Sequence, residues 1–448
     1  MGSDIDELLT SGPSDDALAE WGQGRFGEEG DDIDAHVKEF QVFGFKFQAN
    51  DCRKFGFAVF GGWGRKARVS HSIYIIAGEV SGDTHGAHLM DAMSRQLPEL
   101  EFRGAGGPAM RDAGGDGVTD WVEDAAVMGF WEVLKHYRWF KCRFYEMLDE
   151  VVAWKPEALV LIDYPGFNLR FAAAVRERLP ETKIIYYISP QVWAWNKGRI
   201  PKMAEVLDLM LCIFPFEKPI FESAGLETQF VGHPLVDELE DQREQVTRAE
   251  DLVGLFPGSR EREVNRLFPM MVEAARRMHS HYPDWRYEAA AASKKLEGQM
   301  QVMIEEAKLP ESCEIRLKTG NSHSLMQRAT CGVVASGTAT LEAAALGLPY
   351  CLVYKLAWPT YALGKLLVKV EYIGLVNILA GEGVVEELVQ SDADPGHVER
   401  ILSRLMTDRE EREALCQRLE RTASRLGDPG AHERAAQAIV DVLELTNK

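Results

Sequence analysis

From Ile73-Tyr74-Ile75-Ile76-Ala77 onward, short continuous runs of Val, Ile, Leu and aromatic residues alternate with longer stretches whose apolar positions recur every three to four residues. Continuous apolar runs are strands buried on both faces, and the helical period marks the helices that cover them. The pattern predicts strands near residues 73–77, 158–162, 183–187, 208–213 and 228–231, and a second set near 252–256, 286–291, 313–317, 331–335 and 349–353. Between the sets stand Gly232-His233-Pro234 and a charged stretch from Asp237 to Asp251. The expected fold is therefore α/β, with two doubly wound Rossmann-like domains at residues 71–235 and 251–425. A linker at 236–250 joins them, and a C-terminal helix at 426–448 follows. Ligands of open parallel sheets bind outside the carboxyl ends of the strands, so the two domains are expected to face a central cleft lined by loops from both.

Residues 1–70 do not follow this alternation. Between Met1 and Asp34 there are eleven acidic residues and one basic residue, which accounts for about half of the formal charge of −20. That composition predicts a disordered or loosely attached extension. After it comes an aromatic and basic patch running from Phe43 to Lys66, read either as an interfacial anchor or as an appendage. The rest of the chain carries no long basic run that would favour nucleic acid. Seven widely scattered cysteines with no Cys-x-x-Cys pair are expected to be reduced thiols. No apolar run reaches the roughly 18 to 20 residues that span a bilayer, and no His or Cys cluster has metal-ligand spacing.

Five loops carry candidate chemistry. Ala335-Ser336-Gly337-Thr338 follows an apolar run and opens a helix, so backbone N–H groups and hydroxyls are presented to an anion. Glu342, one turn further on, is placed to accept from sugar hydroxyls; together these suit a nucleotide diphosphate. In Leu255-Phe256-Pro257-Gly258-Ser259-Arg260, Arg260 at a helix start adds a second diphosphate contact. Gly78-Glu79-Val80-Ser81-Gly82-Asp83 follows the first strand; its glycines admit a ligand, and Ser81 or Asp83 can cap the next helix. Asp163, in Ile162-Asp163-Tyr164-Pro165-Gly166-Phe167-Asn168, ends a strand and can act as a general base toward a substrate hydroxyl, while Asn168 is a helix-cap candidate. Ser189-Pro190-Gln191-Val192-Trp193-Ala194-Trp195 either lines a pocket or braces it. His233 shapes the hinge or contacts ligand.

The segment from Phe130 to Tyr145 is helical in period, and Phe130, Leu134, Tyr137, Phe144 and Leu148 form one stripe. Trp131, Lys135, Arg138, Trp139, Lys141 and Arg143 lie around it, and aromatics among cations suit an interfacial helix on an anionic membrane surface. The segment 356–369 has a similar composition. Both are also consistent with core.

Taken together, these blocks resemble lipid-A-disaccharide synthase, a two-domain GT-B glycosyltransferase, over about residues 72–445. The match rests on Ala77-Gly78-Glu79-Val80-Ser81-Gly82-Asp83, Gly104-Ala105-Gly106-Gly107-Pro108, Val127-Met128-Gly129, Ser189-Pro190-Gln191-Val192-Trp193-Ala194-Trp195 and Asn377-Ile378-Leu379-Ala380-Gly381, with the Asp163, Arg260 and Ser336 loops. The resemblance implies an inverting transfer from UDP-2,3-diacylglucosamine to 2,3-diacylglucosamine 1-phosphate, giving a β-1,6-linked disaccharide 1-phosphate and UDP. It implies Asp163 as the essential carboxylate. Arg260, Ser336, Gly337 and Thr338 would hold the diphosphate, Glu342 the ribose, and Asn377 would lie on the nucleotide. The acceptor would meet loops containing Glu79, Ser81, Gly82, Asp83, Asn168, Ser189, Gln191, Trp193 and His233. It further implies no cofactor and no catalytic metal, peripheral attachment to the inner face of the inner membrane, and in some members a homodimer. Competing readings are another GT-B UDP-sugar enzyme, such as a 2-epimerase, or a non-catalytic UDP-sugar or lipid-binding protein.

Overall fold

The computed structural model describes residues 40–42, 45–47, 71–126, 130–356, 361 and 371–446. Two parallel sheets organise it. The first is built from β3 (His71–Ala77), β4 (Leu100–Gly106), β5 (Val118–Asp120), β6 (Ala158–Ile162), β7 (Lys183–Tyr187), β8 (Leu209–Cys212) and β9 (Thr228–Phe230), in the order β5-β4-β3-β6-β7-β8-β9. The second contains β10 (Leu252–Phe256), β11 (Arg286–Ala291), β12 (Ile315–Thr319), β13 (Cys331–Ala335), β14 (Tyr350–Tyr354) and β15 (Glu387–Val389), in the order β12-β11-β10-β13-β14-β15. Of the N-terminal extension, only β1 (Phe40–Val42) and β2 (Phe45–Phe47) are described, as an antiparallel pair.

The all-parallel arrangement follows from the sequence. Ile73 to Ala77 and Ala158 to Ile162 are wholly buried, which requires helices on both faces of the sheet. In each sheet the first strand lies inside the order, so successive crossovers run outward in opposite directions from it. The reversal falls between β3 and β6 in the first sheet and between β10 and β13 in the second. Loops leaving these strands splay apart at their carboxyl ends and open a crevice at each point.

Three strands of the two parallel sheets lie outside the expected set. β4 is broken up in the sequence by Glu101 and Arg103, whose side chains pair with each other at 3.0 Å while the Arg103 guanidinium lies 4.5 Å from the centre of the Trp154 ring. β5 and β15 are three residues long, too short to show a pattern. β12 begins at Ile315, later than expected.

The C-terminal helix Ala431–Thr446 crosses back from the second half of the chain to pack along helix Val80–Gln96 of the first. Arg95 pairs with Glu433 at 3.0 Å, and Arg434 donates to the Val231 carbonyl at 2.8 Å. One apolar cluster runs continuously from β3, β6 and β8 through Val231, Leu235 and Leu239 of the hinge to Ile439 and Leu443 of this helix. Cys212, Cys313, Cys331, Cys351 and Cys416 are free thiols. Cys142 is partly buried, and Cys52 lies outside the described residues.

Candidate active site

The loops expected to carry chemistry leave the strands that flank the two crevices. In the first sheet, residues 78–83 follow β3 and residues 163–168 follow β6. Asp163 and Tyr164 both adopt left-handed backbone conformations, φ +43° and +49°, which cost non-glycine residues about 1–3 kcal/mol each and concentrate at functional sites. The surroundings hold them there. The Asp163 N–H donates to the Tyr187 carbonyl at 3.0 Å, and its carbonyl accepts from Asn168 Nδ2 at 2.8 Å and from the Tyr186 hydroxyl. Gly78 is required beside this turn, because a Cβ there would stand 2.3 Å from the Tyr164 ring. Tyr164 in turn meets Trp121, whose indole donates to the Ala77 carbonyl at 2.7 Å.

Tyr186 is buried and its hydroxyl is held well above the usual tyrosine range, first by burial and then by the carboxylates of Asp163 and Glu79. Both acidic side chains therefore bear on the same end of β7, and Glu79 and Ser81 are exposed there. Gly82 and Asp83 are turned inward. Asp83 does not cap its own helix; Oδ1 accepts from the N–H groups of Gly107 and Met110 at 2.7 and 2.9 Å, and Oδ2 from Ala109 at 3.0 Å. It closes the start of helix Pro108–Gly114. Asn168 donates from Nδ2 to the backbone carbonyls of Ile162 and Asp163, while its buried Oδ1 has no protein partner; it lies inside helix Pro165–Arg178 rather than capping it.

The loop after β7 is braced from beneath. Trp193 is buried and its indole donates to Glu217 Oε1 at 2.9 Å, while Glu217 Oε2 accepts from the Phe214 N–H. Glu217 is wholly buried, and burial pushes its carboxyl up to about 7 against hydrogen bonds from Trp193 and Phe214. Ser189 is buried beside it, and Gln191 remains partly exposed at the start of the short helix Val192–Trp195. Sequence reasoning missed Glu217, although Phe214-Pro215-Phe216-Glu217 follows β8 much as Asp163 follows β6. His233 accepts from the Leu235 N–H on Nδ1 at 3.1 Å, and burial drives its imidazole down to about 3, so it shapes the hinge as a neutral ring.

In the second sheet β10 and β13 run side by side, Phe256 level with Val334, and the loops that follow them are neighbours. Arg260 stands at the start of helix Glu261–His281, 57% exposed, with Glu263 at 3.5 Å. Ser336 donates its N–H to the Val353 carbonyl, while its buried hydroxyl has no protein partner. Gly337 has φ +141° and open space on the side where a Cβ would point, a backbone that only glycine adopts readily. Thr338 is exposed at the start of helix Ala339–Ala345. An orphaned hydroxyl, a bare glycine and a half-open arginine thus lie on neighbouring loops, and they are groups of the kind that hold an anion.

Glu342, in the first turn of helix Ala339–Ala345, is engaged, with Oε2 at 3.0 Å from His323 Nε2. Asn377 departs furthest from expectation. It is wholly buried, Oδ1 accepts from Val384 and Val385, and Nδ2 donates to the Val385 carbonyl and Glu387. With its amide fully committed, it holds the turn after helix Leu375–Ala380 and has no group left for a nucleotide.

Of the residues proposed for lipid contact, Trp131, Lys135 and Arg138 have side chains outside the described residues, as does most of segment 356–369. Trp139 is partly buried and stacks on Trp121 at 6.1 Å, so packing accounts for part of its presence. Arg143 pairs with Glu146 at 3.1 Å, and Lys141 is partly buried. Among the described residues no helix is long and apolar enough to cross a membrane, and no group of three or more His, Cys, Asp or Glu side chains could hold a metal ion.

A family model described as lipid-A-disaccharide synthetase matches residues 73–442. The chain belongs to the lipid-A-disaccharide synthase family. A lipid-A-disaccharide synthase of Trichlorobacter lovleyi is 40% identical over 380 residues, covering 83% of this chain and 97% of that one. One from Geobacter sulfurreducens is 38% identical over 385 residues, covering 84% and 98%. Among solved structures, a putative UDP-N-acetylglucosamine 2-epimerase from Listeria monocytogenes superposes with a TM-score of 0.56 at 11% identity, covering 86% of this chain and 98% of that one. MurG of Acinetobacter baumannii gives 0.50 at 11% identity, covering 83% and 99%. These structural likenesses establish the two-domain α/β fold; the family assignment establishes a hexosyltransferase of lipid A disaccharide synthesis. Residues 1–70 lie outside the family match.

Proposed function

We propose that the protein condenses UDP-2,3-diacylglucosamine with 2,3-diacylglucosamine 1-phosphate to give the β-1,6-linked disaccharide 1-phosphate and UDP, with inversion at the transferred anomeric carbon. The observation that supports this most is the pairing of unlike loops at two equivalent points of the fold. A strained carboxylate loop stands at the crevice of the first sheet and an anion cradle at that of the second. In this reading, Asp163 accepts the proton of the acceptor 6-hydroxyl as its oxygen attacks, and the bond to the diphosphate breaks. The charge that develops on UDP is taken up by Arg260, the Ser336 hydroxyl and the N–H groups of residues 337 and 338. Glu79 and Ser81, with Gln191 above the braced loop, are placed to meet the acceptor. Acylated substrates require access to a lipid surface, and we place the protein peripherally on the inner face of the inner membrane.

A thin-layer assay with purified protein, both substrates and a chelator tests the reaction. A disaccharide-sized product is expected; no product from protein that still binds UDP would overturn the assignment of the acceptor. Arg260→Ala is expected to weaken UDP about tenfold to a hundredfold, the worth of a charge-assisted hydrogen bond pair to phosphate. Arg260→Lys should recover only part of the loss, since an ammonium cannot reproduce the fork. Titration calorimetry with UDP reads both variants, and unchanged affinity in Arg260→Ala would remove the residue from the nucleotide site.

A further inference from the structure

His323 belongs to helix Ser322–Arg328, and neither composition nor motif singles it out. Its ring spans two structural units. Nε2 lies 3.0 Å from Glu342 Oε2, and Nδ1 is in hydrogen-bond contact with Gln242 Oε1. Gln242 belongs to the segment that joins the two sheets, and that segment is tied to the same helix by further bonds. Gln327 Nε2 donates to the Gln242 carbonyl at 3.0 Å, Gln327 Oε1 accepts from the Glu244 N–H at 2.8 Å, and the Ser324 hydroxyl donates to Glu244 at 3.2 Å.

We propose that His323 is a positioning residue that fixes the Glu342 carboxylate for the ribose of the bound nucleotide and ties it to the interdomain linker through Gln242. The inference rests on the reading of the Arg260 and Ser336 loops as a nucleotide site. Nε2 and Nδ1 lie against oxygens of Glu342 and Gln242, and with the Gln242 amide in this orientation the ring donates from both nitrogens and carries a positive charge. The hydrogen bond to Glu342, aided by the charges of Glu342 and Glu238, lifts the imidazole above its usual range against the cost of partial burial. Glu238, from helix Leu235–Glu240, is itself raised by burial and by Glu342, with His88 acting in the opposite direction. On the side of β11, Glu288 is already held by Arg328 at 2.7 Å and by Asn321 at 2.9 Å, which leaves Glu342 as the carboxylate in contact with the ring.

The sign follows from the raised value. The charged ring, and the alignment it gives Glu342, are present at low pH and are lost as pH rises through the pKa of His323 in the folded protein. Calorimetry with UDP and with 2′,3′-dideoxy-UDP on wild type, His323→Gln and Glu342→Gln reads this directly. Wild type should prefer UDP over the dideoxy nucleotide by about tenfold, the worth of hydrogen bonds to a charged acceptor. Both variants should lose most of that preference. The ratio of UDP affinities between wild type and His323→Gln should be largest below the pKa of His323 in the folded protein and fall toward one as pH rises through it; because it is a ratio, titration of the UDP phosphate cancels. Gln242→Leu leaves the ring in place and removes its linker acceptor, so its pH dependence should move to lower pH. A His323→Gln protein that keeps the wild-type ribose preference overturns the inference, and an unshifted Gln242→Leu profile overturns its linker half. Failure of wild type to bind UDP at all would overturn the nucleotide site itself, and the inference with it.

Discussion

Asp163→Asn is expected to lower disaccharide formation about 100- to 10,000-fold, the range typical of removing a positioned general base, while UDP affinity stays at the wild-type value. The choice of asparagine matters. Residue 163 has φ +43°, and Asp and Asn tolerate the left-handed region far better than other non-glycine residues. Alanine would mix a backbone cost with the chemical one. The clamp on this turn uses the main chain: the N–H of residue 163 on Tyr187, and its carbonyl under Asn168 and Tyr186. An amide side chain leaves those main-chain bonds in place while removing the negative charge and the capacity to take a proton. UDP is assigned to the other sheet, so its affinity is an internal control. A variant that still forms disaccharide at the wild-type rate would eliminate Asp163 as the base and return the role to a neighbour, Glu79 first, since it bears on the same Tyr186 hydroxyl.

Much of this architecture was legible because buried parallel strands are continuous apolar runs, and β3, β6, β7, β10 and β13 are of that kind. These are the strands that flank or adjoin the crevices, so the loops that follow them could be placed from sequence. What could not be read is the direction in which each polar side chain is turned. Asp83, Asn168 and Asn377 have the same chemistry as a ligand-binding residue would have. Each instead bonds groups brought to it by segments remote in the fold or folded back in the chain, and only Asn168 keeps an unpartnered oxygen. Asn377 meets Val384 and Val385, and Asp83 meets a helix start more than twenty residues away. Glu217 and His323 show the converse. Their partners, Trp193 and Glu342, lie on other elements, and no local spacing reports such a pair. β4 was obscured for a related reason: its charged residues satisfy each other across the strand face, so it lacks the apolar signature while remaining paired on both sides.

Asp83→Ala separates these two kinds of residue most sharply. If Asp83 met the acceptor sugar, alanine would reduce activity and leave unfolding unchanged. The geometry predicts the reverse emphasis. Three N–H groups at the start of helix Pro108–Gly114 lose their acceptor in a site where Asp83 is only 5% exposed, and each buried donor left unsatisfied costs about 1–3 kcal/mol. A loss of at least about 3 kcal/mol is expected, seen as a lower urea midpoint for the first unfolding transition with little change in slope. Asp83→Asn should fall between the two, because its oxygen serves some of the donors while its NH₂ group opposes the others. Helix Val80–Gln96 carries Asp83, begins beside the Asp163 turn and supports the C-terminal helix. Loosening its tie to residues 107–110 should therefore lower turnover as a consequence of instability, and the activity that remains at low temperature should approach that of wild type. Wild-type stability in Asp83→Ala together with lost activity would reassign this carboxylate to the substrate.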